Sequence, residues 1–283
     1  MFSAISVRNL RKLYGTKAAV DGLDLEVPQG SFFGFLGPNG AGKTTTIRML
    51  MGLAPPTSGS IELLNLPMPD RALEVKGKIG LVPDESLLFD HLTGLEFTEF
   101  VGRMYGLARP MARERARELL ALFELDGDPR KLIGDYSKGM RKRVAMAAAL
   151  IHRPELFLLD EPFEGVDAVA SGTLKAMLQR MIARGATIFL TSHVLEIVER
   201  LCTHVAIIHR GQLVAQGSLE ELRAGAGRRA QANRGEEANI EEQTGPRNER
   251  KRSLEEIFLE VVGTDRIGNP AAAAPEQELS WLS

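Results

Sequence analysis

One cysteine, Cys202, stands in the 283 residues, so no disulfide can form within the chain. Such sparse cysteine fits a reducing, cytoplasmic setting. Beside the apolar run of LCTHVAII, a lone thiol reads as a small core residue rather than a nucleophile. No group of Cys and His has the spacing of a metal site. An excess of one charge is also missing. The 35 Lys and Arg against 37 Asp and Glu leave a net charge of −2, which offers no electrostatic ground for nucleic acid as the main partner. Long apolar runs are absent too. VAMAAALI and ELFLLD fall well short of the ~18 residues of a membrane span and read as buried core. The first residues alternate polar and apolar at once, unlike a secretory signal. Any passage across a membrane would therefore need another chain to form the pore.

What is present supports a sizeable core: 44% of residues are hydrophobic and 25% charged. Residues 1–30 alternate as β structure, and SFFGFLG is a compact apolar strand running into GPNGAGKTTTIRML, a turn into a helix. From about 87 to 150 the pattern becomes helical, as in ARERARELLALFEL with its apolar residues three and four apart. ELFLLD, ATIFLTS and HVAIIHRG restore strands separated by helical stretches, and GQLVAQG closes a hairpin. This order predicts an α/β fold with a mainly parallel sheet, an N-terminal antiparallel β layer and a helical lobe. Residues 1–222 form the expected folded domain. Residues 223–252 read as a flexible charged linker, 253–263 as a short amphipathic helix, and 264–283, with Trp281, as a disordered tail.

GPNGAGKT, Gly37 to Thr44, fits G-x-x-x-x-G-K-[ST] between a strand and a helix, the context that a P-loop requires. Glycines let the backbone wrap a phosphate, and successive N–H groups with the helix N-terminus then face its oxygens. Lys43 brings a charge to the β and γ phosphates, and the Thr44 hydroxyl is suited to Mg²⁺. Asn39, Gly40, Gly42 and Thr45 complete the candidate contacts to ATP. LFLLDEP ends a buried strand in two carboxylates, where parallel sheets bind ligands. Asp160 suits the metal, and Glu161 can take a proton from an attacking water.

Between these motifs, YSKGMRKRVAMAAALIHRPELFLLDEP resembles the ABC-transporter signature region, whose usual core is L-S-G-G-Q upstream of the Walker B strand. EGVD at Glu164 to Asp167 looks like the family's D-loop, and TSH at Thr191 to His193 like its switch histidine. Tyr14 sits where the family places an aromatic to stack on adenine. The resemblance spans about Ala4 to Leu222 with every motif in family order. It implies a P-loop NTPase core, and a dimer in which ATP on one chain's P-loop is capped by Ser137 and Gly139 of the other. It also implies His193 on the γ-phosphate and docking onto separate polytopic membrane subunits at the inner face of the membrane. The paired ATPase subunits could be identical or different. A Ser and a Gly opening a long helix can offer a hydroxyl and free N–H groups to a phosphate, or simply cap the helix.

The pattern departs at two places. Asp84 stands where the family usually has Gln; it can ligate Mg²⁺ but brings negative charge and, when ionised, no donor. Lys138 and Met140 replace the usual Gly and Gln of the signature, a variant similar to exporter-type ATPases, as is the closing SLEEIFLEVVG. Leu87, Leu88 and Phe89 read equally as a docking contact or as ordinary core. The competing expectations are a soluble ABC ATPase acting on ribosomes or DNA, against which stand the single cassette and the lack of heptads, and a non-hydrolytic regulator, against which stand Glu161 and His193.

Overall fold

Two strands of alternating burial open the chain, β1 (Ser3–Tyr14) and β2 (Lys17–Pro28). The computed structural model describes residues 2–84, 88–224, 228–229 and 252–263. β3 (Phe32–Leu36), α1 (Lys43–Leu50), β4 (Ser58–Leu63), β5 (Leu66–Met68), α2 (Ala72–Lys76) and β6 (Ile79–Val82) follow. A helical stretch comes next: α3 (Gly94–Met104), α4 (Arg109–Leu122), a 3-10 turn at Ile133–Asp135 and α5 (Lys138–Leu150). The chain then alternates through β7 (Leu156–Asp160), α6 (Ala168–Ala183), β8 (Thr187–Ser192), α7 (Leu195–Leu201) and β9 (His204–His209). It closes with β10 (Gln212–Ser218), α8 (Leu219–Arg223), β11 (Arg228–Arg229) and α9 (Leu254–Gly263).

β3, β7 and β8 are buried at every position, as a strand covered on both faces must be. They sit inside a seven-stranded sheet of order β11-β10-β9-β3-β8-β7-β6, in which β9, β3, β8, β7 and β6 run parallel and β10 returns antiparallel. β2-β1-β4-β5 form a separate antiparallel sheet. Alternate residues of the central strands feed two cores. Phe33, Phe35, Leu158 and Phe189 pack with Leu10, Leu25 and Ile47 on the side of the antiparallel layer, and Phe33 stacks on Phe189 at 5.8 Å between ring centres. Phe32, Leu36, Phe157 and Leu190 pack on the other side with the Val144–Leu150 stretch of α5.

α3, α4 and α5 form the helical lobe. Thr93 and Glu96 make a capping box that starts α3, and α4 buries one stripe, Ala112, Ala116 and Leu120, leaving most of its charged residues outward while the half-buried Arg115 donates to the Ile151 carbonyl at 3.1 Å. At the far end, α9 packs Leu254 and Ile257 onto the body, and Glu199 of α7 accepts hydrogen bonds from Arg223 and from the Leu254 N–H. Most of 223–252, all of 264–283 with Trp281, and Leu87 lie outside the described residues. No described helix is long and apolar enough to cross a membrane.

Candidate active site

Strand register brings the candidate residues to one edge. Leu36, the last residue of β3, pairs with Ser192 of β8; Asp160 of β7 pairs with Thr191; and Val82 of β6 pairs with Leu159. These neighbouring parallel strands end together, the usual ligand edge of such a sheet. A cleft of about 940 Å³ opens there, lined by Tyr14, Asn39, Gly40, Gly42, Lys43, Thr44, Thr45, Asp84, Glu161 and His193, with Lys17, Glu164 and Arg210.

The P-loop is pressed against the structure behind it. A Cβ on Gly42 would lie 2.6 Å from the Ala19 carbonyl oxygen of β2, and one on Gly37 would lie 2.4 Å from that of Ile208 in β9. Gly42 also holds φ +113° just before α1. The Gly211 N–H donates to the Ala41 carbonyl at 2.9 Å, tying the β9–β10 hairpin to the loop. No acidic residue stands in the first turn of α1, so its N–H groups and dipole present positive potential to the cleft. Lys43, 6% exposed, donates from Nζ to the Gly37 carbonyl at 2.7 Å and faces Glu161 Oε1 at 3.5 Å.

The paired carboxylates differ sharply. Asp160 is 1% exposed, and its Oδ1 accepts the Thr191 hydroxyl at 2.5 Å; Thr191 Oγ1 in turn accepts the Glu161 N–H at 3.0 Å. Thr191 thus fixes both acids at the strand end. Glu161 takes a left-handed φ of +46°, a conformation costing on the order of 1–3 kcal/mol for a residue with a side chain. That turn sends its carboxylate between Lys43 and His193, whose Nδ1 lies 3.0 Å from Oε2. Strain held at such a position marks a candidate catalytic group.

Asp84, on the far wall, has a partner that the sequence reading did not supply. Lys142 of α5 lies with Nζ 3.7 Å from Asp84 Oδ1, and it donates to the carbonyls of Asp84 at 3.2 Å and Asp160 at 3.3 Å. Burial pulls the pKa of this ammonium down, while Asp84 and then Asp160 push it back up. Glu164 accepts from Lys138 at 3.1 Å, and that contact holds its carboxyl below the usual range.

Ser137 and Gly139 do not line this cleft. Ser137 is exposed at the start of α5, where its hydroxyl accepts the Met140 N–H at 3.2 Å. Within the chain it is a helix cap. Cys202 is buried and its thiol pKa is pushed up by burial, as suits a core residue. Lys142, Arg210 and Lys17 are cleft or second-layer residues missed in the sequence. For Lys142 the sequence carried little signal: it stands between Arg141 and Arg143 in a basic run that reads as a solvated face, yet it is buried to 4% exposure.

The ABC transporter family model matches residues 20–164. A Nod factor export ATP-binding protein I from Cupriavidus metallidurans is 42% identical over 222 residues, covering 78% of this chain and 73% of that one. A solved ATP-binding subunit of an ABC transporter superposes with a TM-score of 0.78 at 28% identity, covering 92% of this chain and 99% of the other. A bacterial ABC transporter cassette solved as a dimer gives a TM-score of 0.71 at 25% identity, over 76% of this chain and 98% of that one. With its P-loop NTPase fold and with its P-loop, strand-end acids and His193 gathered at one sheet edge, the chain belongs to the ABC transporter family, as an ATP-binding and ATP-hydrolysing subunit.

Proposed function

We propose that two copies of this subunit, or one copy and a similar chain, close on ATP and drive export through separate polytopic membrane subunits. The observation that carries the catalytic part is the carboxylate of Glu161, strained into place between Lys43 and His193. Glu161 accepts a proton from the water whose oxygen attacks the γ-phosphorus, and the bond to the ADP oxygen breaks. Lys43 and the loop N–H groups bear the charge of the phosphates, His193 orients the γ-phosphate, and Tyr14, half exposed at the cleft wall, stacks on adenine.

Mg²⁺ fits the oxygen donors that line the cleft, the Thr44 hydroxyl and Asp84; Asp160, buried behind the lining and holding the Thr191 hydroxyl, would reach the ion through its water shell. Among the described residues no cluster of three His, Cys, Asp or Glu could hold a metal by itself, which suits an ion shared with phosphate oxygens and water. When bound, it would neutralise charge on the β and γ phosphates.

The capping role of Ser137 and Gly139 is supported by their position away from the chain's own cleft and by the dimer seen for the bacterial cassette. Docking to membrane subunits at the inner face is supported by Phe89, Phe100 and Met104, exposed together on the helical lobe, with the first two rings 5.7 Å apart. Export is supported by the name of the Cupriavidus relative. Affinity purification from solubilised membranes tests the assembly. A stoichiometric polytopic partner is the expected result; recovery with ribosomes or DNA instead would reject it.

A further inference from the structure

An ammonium buried to 4% exposure is costly to keep unless charges or carbonyls surround it. Among the described residues, the polar partners of Lys142 belong to the candidate active site: the side chain and carbonyl of Asp84, and the carbonyl of Asp160. Asp84 is 41% exposed and lines the cleft, so its carboxylate faces the phosphate side while Lys142 stands behind it. The Asp160 carbonyl precedes Glu161 directly, at the point where the backbone turns left-handed. One lysine on α5 therefore joins the helical lobe to the segment after β6 and to the end of β7.

We propose that Lys142 is a positioning residue for ATP hydrolysis: it compensates the charge of Asp84 beside the phosphates and holds that segment against the Asp160–Glu161 turn. The proposal rests on the ATPase reading of the cleft. Where the resemblance places a neutral Gln, this chain carries an acid, and the cation that neutralises it comes from a different element. Asp84 and Lys142 then act as one neutral unit. Without Lys142, an unbalanced carboxylate faces the γ-phosphate and its segment loses its anchor. Without Asp84 as well, the need for the lysine largely disappears.

The test is a cycle of Lys142→Gln, Asp84→Gln and the double variant in the full chain. It is read by kcat and KM for ATP, by calorimetric ATP affinity and by thermal unfolding. Misplacing a reacting group by about 1 Å can cost up to ~10²-fold, so Lys142→Gln should lower kcat by roughly 10- to 100-fold with ATP affinity little changed. Asp84→Gln sets the reference kcat against which the double variant is read, with an amide oxygen in place of the carboxylate. In the Asp84→Gln background, Lys142→Gln should cost less than about threefold, since contacting residues couple. Equal losses in both backgrounds would overturn the proposal while leaving the ATPase reading intact; a wild-type chain without ATPase activity would overturn that reading itself. If Lys142→Gln alone does not fold, a folded double variant with the kcat of Asp84→Gln supports the pairing, and a double variant that also fails to fold rejects it.

Discussion

Nδ1 of His193 lies 3.0 Å from Oε2 of Glu161, linking the end of β8 to the end of β7 across the mouth of the cleft. Lys43 approaches the other oxygen of the same carboxylate at 3.5 Å. One acid thus stands between the residue suited to the γ-phosphate and the residue suited to both terminal phosphates.

Replacing Glu161 with Gln keeps its size and an oxygen but removes the base. Positioned acid–base groups contribute ~10²–10⁴-fold, so steady-state hydrolysis should fall by that range. ATP binding should persist, because the P-loop and Lys43 are untouched. Size-exclusion chromatography should show a dimer that forms only with ATP. Hydrolysis at the wild-type rate would remove Glu161 from the reaction.

Lys43→Ala should weaken ATP binding itself. A charge-assisted hydrogen bond contributes about 1.5–3 kcal/mol, which corresponds to roughly 10- to 100-fold in affinity. Calorimetry at matched ionic strength measures this directly. An unchanged affinity would show that the loop N–H groups alone hold the nucleotide.

If each site draws on two chains, two inactive variants should complement one another. Lys43→Ala keeps Ser137 intact, and Ser137→Arg keeps the P-loop intact. A mixed dimer then holds one complete site. Mixing the purified variants should recover ATPase activity that neither shows alone. Activity of Ser137→Arg by itself would place catalysis within one chain, and no recovery, with mixed dimers demonstrated by mass spectrometry, would show that one complete site does not suffice.

Thr191→Val removes a fully buried hydroxyl that bonds Asp160 and receives the Glu161 N–H. The orphaned N–H should lower stability by about 1–3 kcal/mol in urea unfolding. Hydrolysis should fall further than stability alone explains, because Glu161 loses the bond that holds its turn. Activity equal to wild type in a folded variant would show that the turn is fixed without Thr191.

Much of this architecture is legible in the order of residues. β3, β7 and β8 each carry a short apolar run, FFGFL, LFLL and IFL, which suits a sheet covered on both faces. The P-loop is legible because its chemistry needs contiguous residues. Asp84 and Lys142 are 58 residues apart, and Lys142 is hidden in the basic run Arg141-Lys142-Arg143, so periodicity says nothing of their meeting. The left-handed backbone of Glu161 is equally silent in sequence, because Glu is not a residue that favours it. Arg210 reaches the cleft only because the β9–β10 hairpin folds beside the P-loop.

The backing of Gly37 and Gly42 by the Ile208 and Ala19 carbonyls bears on how nucleotide capture is apportioned between folding and association. Fixing a residue's backbone costs about 1–2 kcal/mol of conformational entropy. For this loop that ordering belongs to folding of the body, since strands β2 and β9 hold its shape from behind. An arriving triphosphate meets amides already aimed, so little of its interaction energy is consumed in arranging them. Affinity for ATP consequently becomes a property of strand packing: a substitution that shifts Ala19 or Ile208, neither of which need touch a phosphate, should slacken the loop and weaken binding from the rear.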